Sequence, residues 1–202
     1  MKYLKGSLLL FFCSISGCGT WNASSLIVPG QGMGPFRLGM TKADIQKLVK
    51  PEAYAEGEQN GLAIISTNDL DSTRRVEMEL DDQGKVRSMS IHGDRSVWHS
   101  GHGISLGTTL SKLAELNGRP IRLHAFDVSE KRGWVLDWGN GLLAKEWGAA
   151  RIIFASPMRA PGYDGMSSQQ KQEIEKDRDF LSTDPEMRAL NPWIETIEIC
   201  RQ

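Results

Sequence analysis

Cysteine is scarce in this chain. Its 202 residues hold three, Cys13, Cys18 and Cys200, and none stands in a CxxC pair of the kind that binds metal or exchanges disulfides. Long hydrophobic runs are missing too: no stretch reaches the about 20 apolar residues that a bilayer-spanning helix needs. Charge of one sign is missing, since 24 basic side chains meet 25 acidic ones, so no basic surplus points to nucleic acid. There is no HExxH pair for zinc. The chain therefore says little about chemistry. It says more about address and architecture.

The address is written in the first 18 residues. Lys2 and Lys5 give a positive start, Leu8, Leu9, Leu10, Phe11 and Phe12 run consecutively, and Ser16 and Gly17 are small. A charged start, a short apolar core and small residues before a cut are the layout of a secretory signal peptide. Cys18 follows directly, and Ile15-Ser16-Gly17-Cys18 resembles the lipobox of bacterial lipoproteins. The resemblance implies cleavage before Cys18, acylation of its thiol and its new amino group, and a soluble domain held on a membrane. One acyl chain anchors only marginally, because each buried methylene contributes about 0.8 kcal/mol, so several are needed. Residue 19 is glycine rather than aspartate, which by the same resemblance favours the outer membrane. Cys13 leaves with residues 1–17. Loss of Lys2 and Lys5 takes the formal net charge from −1 to −3. An acylated Cys18 leaves Cys200 as a lone thiol; a free Cys18 in an oxidising compartment is able to pair with it.

Residues 18–28 read as a tether, 29–94 as a first folded unit and 95–202 as a second. The division rests on an internal likeness. "GPFRLGMTKADIQKL" (34–48) and "GHGISLGTTLSKLAEL" (101–116) align at a spacing of 68 residues. Each runs from alternating apolar residues into a glycine, then a threonine placed as a helix N-cap, then an amphipathic segment. Strand patterns follow each. Residues 74–93 alternate Val76, Met78, Leu80 and Met89, Ile91 around a turn at 81–84. Residues 133–147 alternate around Asn140-Gly141 and predict a second hairpin. Residues 150–156 and 193–200 read as further strands. A polar helix with a capping box at Ser167 and Gln170 is expected near 167–181.

The expected fold class is thus α+β: two tandem helix-plus-antiparallel-sheet repeats, with an extra helix before the last strand. Leu38-Gly39-Met40-Thr41, its fainter echo at Leu106, Gly107 and Thr109, and the turn at Asp82–Lys85 resemble small bacterial envelope domains. Two such groups are the small lipoprotein of the outer-membrane β-barrel assembly machine and the tandem-repeat β-lactamase-inhibitor protein. The layout is also similar to uncharacterised envelope lipoproteins. The resemblance implies a fold rather than an activity.

Candidate sites are few. Gly30, Gly32 and Gly34 lie between two prolines rather than between a strand and a helix, which suits a domain entry better than a phosphate loop. His99 and His102, with His92 and Asp94 nearby, are the types that ligate zinc, but their segment is rich in Gly and Ser. Asp81-Asp82 suits a turn. Trp134, Leu136 and Trp138 alternate and should share one face of a strand, with Trp147 on its hairpin partner. Such a set either stacks on a sugar or anchors a protein, or fills the core. The expectation is a non-enzymatic, lipid-anchored interaction module on the periplasmic side of a bacterial membrane. Its partners are the membrane, through lipid on Cys18, and another envelope protein, met by the sheet or by the 157–166 loop; it needs no cofactor and no nucleic acid. The alternatives are a glycan or small-ligand binder using Trp134 and Trp138, and a metal-dependent hydrolase using His99 and His102.

Overall fold

The computed structural model describes residues 25–59, 62–67, 72–126 and 133–201. Cys18, the signal segment and most of the tether lie outside them. The chain opens with β1 (Leu26–Val28), β2 (Gly32–Met33) and β3 (Phe36–Arg37), then α1 (Lys42–Gln46). A meander follows: β4 (Tyr54–Gln59), β5 (Leu62–Thr67), β6 (Val76–Leu80) and β7 (Val86–His92). Next come β8 (His99–Ser100), α2 (Leu110–Asn117), β9 (Arg122–Leu123), β10 (Val135–Asp137), α3 (Ala144–Trp147) and β11 (Ala150–Phe154). The last elements are α4 (Ser168–Ile174), β12 (Phe180–Leu181), α5 (Pro185–Leu190) and β13 (Ile194–Cys200).

Among the described residues the strands form three sheets of four, three and six strands, and the α-helices are five and short. The protein is mostly β, and the expected pair of helix-plus-sheet repeats is not what forms. The six-stranded sheet runs β11-β13-β7-β6-β5-β4 and is antiparallel throughout. It takes strands from both sides of the 94/95 division, because β7 pairs directly with β13 (Ile91 opposite Ile197, Met89 opposite Ile199).

The local likeness between the two halves does have a structural counterpart. Gly39 and Gly107 take φ of 86° and 84°, left-handed values that glycine adopts without steric cost. Gly39 N–H donates to Val86 O (2.7 Å) and Val86 N–H to Met40 O (2.8 Å); Gly107 N–H donates to Ile194 O (2.9 Å) and Ile194 N–H to Thr108 O (2.9 Å). Thr41 and Thr109 then cap α1 and α2 through their hydroxyls. Each junction thus docks on the first residue of one central strand, β7 or β13. After the junctions the halves diverge. Four strands follow α1, whereas only β11 and β13 of the later chain join the large sheet.

The 74–93 hairpin forms as its alternation predicts. Asp81 Oδ1 accepts from Gln83 N–H and Lys85 N–H, both at 2.9 Å, and closes the turn. The 133–147 hairpin does not form. Asn140 has the positive φ that its dipeptide permits, but the chain then enters α3. The cause is Asn117 at the end of α2, which is fully buried. Its Nδ2 donates to Trp138 O (2.7 Å) and Arg119 O (3.0 Å), and its Oδ1 accepts from Leu143 N–H (3.2 Å). Gly141 packs so tightly on this amide that a Cβ there would lie 2.2 Å from Asn117 Oδ1. The segment is held back against α2 instead of folding onto β10, which pairs with β9. The helix expected near 167–181 covers only Ser168–Ile174. Its capping box forms (Ser167, Gln170), but Phe180 is drawn into the core as part of β12.

Apolar side chains of all three sheets and of the helices form one buried cluster. On the large sheet, Ile65, Met78, Met89 and Ile199 lie directly opposite one another strand by strand, all buried. Ile91, Ile197 and Ile152 make the adjacent row. Trp147, Phe154, Leu113 and Leu190 complete the interior.

Asn117→Ala should lower unfolding stability by about 1–3 kcal/mol, because the Leu143 N–H loses its side-chain acceptor in the core and the carbonyls of Trp138 and Arg119 each lose a hydrogen bond. Urea unfolding followed by tryptophan emission measures it. A loss within about 0.5 kcal/mol, the range of an ordinary surface substitution, would contradict this role for the amide.

Candidate functional site

Because side chains alternate along a strand, the rows between those of the core point to the opposite face of the large sheet. Two rows cross it: Ile64, Glu79, Ser88 and Cys200, and Ser66, Glu77, Ser90, Glu198 and Arg151. His92, Thr196 and Ile153 begin a third. This face holds a groove of about 370 Å³ floored by these residues apart from Ser66 and Cys200. A second hollow of about 260 Å³ adjoins it beside β4.

The groove is polar, and its charges are matched. Arg75 meets Glu77 at 2.7 Å, Arg87 meets Glu79 at 2.6 Å, and Arg151 meets Glu198 at 3.5 Å. His92 binds at its centre. Its Nε2 lies 2.9 Å from Ser90 Oγ and 3.4 Å from Glu77 Oε2, and its Nδ1 lies 3.1 Å from Thr196 Oγ1. The hydrogen bond from His92, helped by the nearby charge of Arg75, holds the Glu77 carboxyl below its ordinary value against the opposing effect of partial burial. Arg87 does the same for Glu79, with Ser88 assisting. Burial, with the charge of Glu198, pushes the Cys200 thiol up. Cys200 is a free thiol, kept protonated and poorly nucleophilic at neutral pH.

A hydroxyl, an imidazole and a carboxylate meet here, which are the residue types of a hydrolytic relay. Their arrangement does not suit one. Ser90 and Glu77 share the same imidazole nitrogen, whereas a relay sets nucleophile and carboxylate on opposite nitrogens. Thr196 is on the other nitrogen but is itself buried. Both β7 and β13 are flanked by strands on each side, so their amide N–H groups are committed to the ladders and leave none to form an oxyanion hole.

The residues marked by sequence lie elsewhere. His99 Nδ1 contacts Val97 O (3.1 Å), and His102 Nε2 pairs with Glu146 at 3.2 Å, both on the exposed turn around β8. Among the described residues no three His, Cys, Asp or Glu side chains converge as a metal site. Trp138 and Trp147 are core residues, at 6% and 0% exposure. The shared face expected for Trp134, Leu136 and Trp138 is broken by a register shift within β10, which leaves Leu136 exposed. Trp134 is half-buried and tilts against His124 with ring centroids 4.4 Å apart. The 157–166 loop is tied down where Arg159 binds Glu195 and lies over the Trp193 ring, but Met158 stays largely exposed. Sequence reasoning passed over Glu77, Glu79, Ser88, Ser90, Arg151, Thr196 and Glu198. The signal for them was the polar half of the alternation in "VEMEL", "SMSIH", "ARIIF" and "IETIEIC".

No family, no curated protein and no solved structure matches this chain. Among the described residues no helix is long and apolar enough to cross a membrane.

Both glutamates have depressed values in the folded protein. Their contribution to stability is therefore present above the ordinary glutamate value of 4.5 and is lost as pH falls through the lower folded values. Urea unfolding measured as a function of pH should show stability falling below that value, and the double variant Glu77→Gln, Glu79→Gln should flatten the fall. An unchanged slope in the double variant would show that these pairs are not linked to folding.

Proposed function

We propose that this chain is a lipid-anchored protein of the bacterial envelope, acylated at Cys18, that binds another protein without chemistry of its own. The open face of the six-stranded sheet is its contact surface. The observation that carries the reading is the two-sidedness of that sheet. One face is buried under the rest of the fold, while the other is a hollow of matched charges and hydroxyls with nothing of the described chain over it. Antiparallel sheets tolerate one solvated face, but a concave one of six strands offers a shaped and chemically mixed surface of the kind protein interfaces use.

The lipobox supports the address, with the periplasmic face of the outer membrane favoured by Gly19. Tethering near a membrane raises the effective concentration of the domain for partners held there. The burial of Trp138 and Trp147 takes support from the glycan reading. The dispersal of the histidines takes support from the metal-dependent one.

Cys18→Ala should move the protein from the membrane pellet to the soluble fraction, and the mature wild-type mass should match residues 18–202 plus several acyl chains. A variant that still sediments with membranes would overturn the anchor. A photoreactive residue at Ser90 should form a discrete protein adduct in cells, weakened about tenfold or more by Ser88→Arg, which forces bulk and charge into the groove. An adduct unchanged by that substitution would overturn the open face as the contact surface.

A further inference from the structure

The large sheet has two edges, and they are not treated alike. At the β11 edge, Phe154 N–H donates to Gly133 O (2.8 Å), and Trp134 bridges Ile153. The C-terminal end of that edge is covered by its own chain. At the other edge, β4 pairs with β5 over six consecutive residues, from Tyr54 opposite Thr67 to Gln59 opposite Leu62, with no register shift. Among the described residues no strand lies on its outer side. Ala55 to Gln59 are all exposed. A straight, exposed edge is a template for another strand, and main-chain pairing to such an edge is a general mode of peptide recognition.

The edge also carries its own selectivity. Glu56 and Glu58 stand on one face of β4, two residues apart, with Gly57 between them. Lys42 meets Glu56 at 2.6 Å, while among the described residues no cation pairs with Glu58. A second copy of this chain, paired antiparallel about Gly57, would set Glu56 against Glu58 twice, and like charges directly opposite repel. An apolar strand would leave the Glu58 carboxylate partly stripped of water without compensation. A strand with Lys or Arg at alternating positions supplies Glu58 with a cation and adds a second to Glu56 beside Lys42. On the other face Ala55 and Gly57 are small, and nothing lies within 4 Å of a Cβ built on Gly57. The 260 Å³ hollow there has room for the alternate side chains of the added strand.

We infer that the β4 edge receives an extended, lysine- or arginine-bearing segment of another protein as a seventh strand. This rests on the interaction reading above and names its partner by chemistry. The test uses the full chain and a fluorescein-labelled peptide of alternating lysine and threonine. Polarisation should show saturable binding, weakened about tenfold by Glu58→Lys and lost when alternate backbone nitrogens of the peptide are methylated. Equal binding of an alternating glutamate–threonine peptide, equal binding of the methylated peptide, or indifference to Glu58→Lys would each overturn strand addition. If the lysine–threonine peptide fails to bind while the Ser90 adduct persists in cells, the edge inference falls and the open-face reading stands. If the peptide binds in this manner and the Ser90 adduct is absent, the edge site stands and the open-face reading falls.

Discussion

The pairing of β7 with β13 is the interaction on which the rest of the structure depends. It joins segments whose facing residues, such as His92 and Thr196, are 104 positions apart in the chain, and it makes both surfaces of the large sheet at once. On one side it sets Ile91 on Ile197 and Met89 on Ile199, at the centre of the core; on the other it sets Ser90 beside Glu198 and His92 beside Thr196. Closing so long a loop costs entropy. The burial of these four apolar side chains, each fully removed from water, supplies the offset, at roughly 1.5–3 kcal/mol apiece. The charged face is a consequence of the buried one, since alternation leaves no other place for the intervening residues.

The two glycine–threonine junctions act as guides for that pairing. Each grips the first residue of one central strand through a reciprocal pair of backbone hydrogen bonds and starts a capped helix from the same point. Similar sequence at 39–41 and 107–109 therefore reflects a shared local task. It does not mark out two independent units, because a junction is too small to bury a core, and the strands it organises are completed by the same sheet.

The open face and the free edge follow from one asymmetry. The later half of the chain spends its residues on the core side, in the three-stranded sheet, the short helices and the cover over β11. Among the described residues no strand or helix covers the outer surface of the meander β4 to β7 or its β4 edge. A charged and hydroxylated surface tolerates this exposure. Glutamates along β4 are a usual defence of an edge against unwanted pairing, and the same charges define which strand is welcome.

The sequence by itself determined the local events. These are the strand alternation of β6, β7 and β13, the Asp81 turn, the threonine caps and the capping box at Ser167. All are decided by neighbours within a few residues, so periodicity and cap chemistry reveal them. Only the tertiary structure decided that the halves share one sheet, that Asn117 pulls 138–143 away from a hairpin, and that Trp138 and Trp147 serve the core. The same holds for the groove. Glu77, Ser90, Glu198 and Arg151 are ordinary surface positions along their own strands and become a surface only through strand register, which is set by apolar packing between segments far apart in the chain.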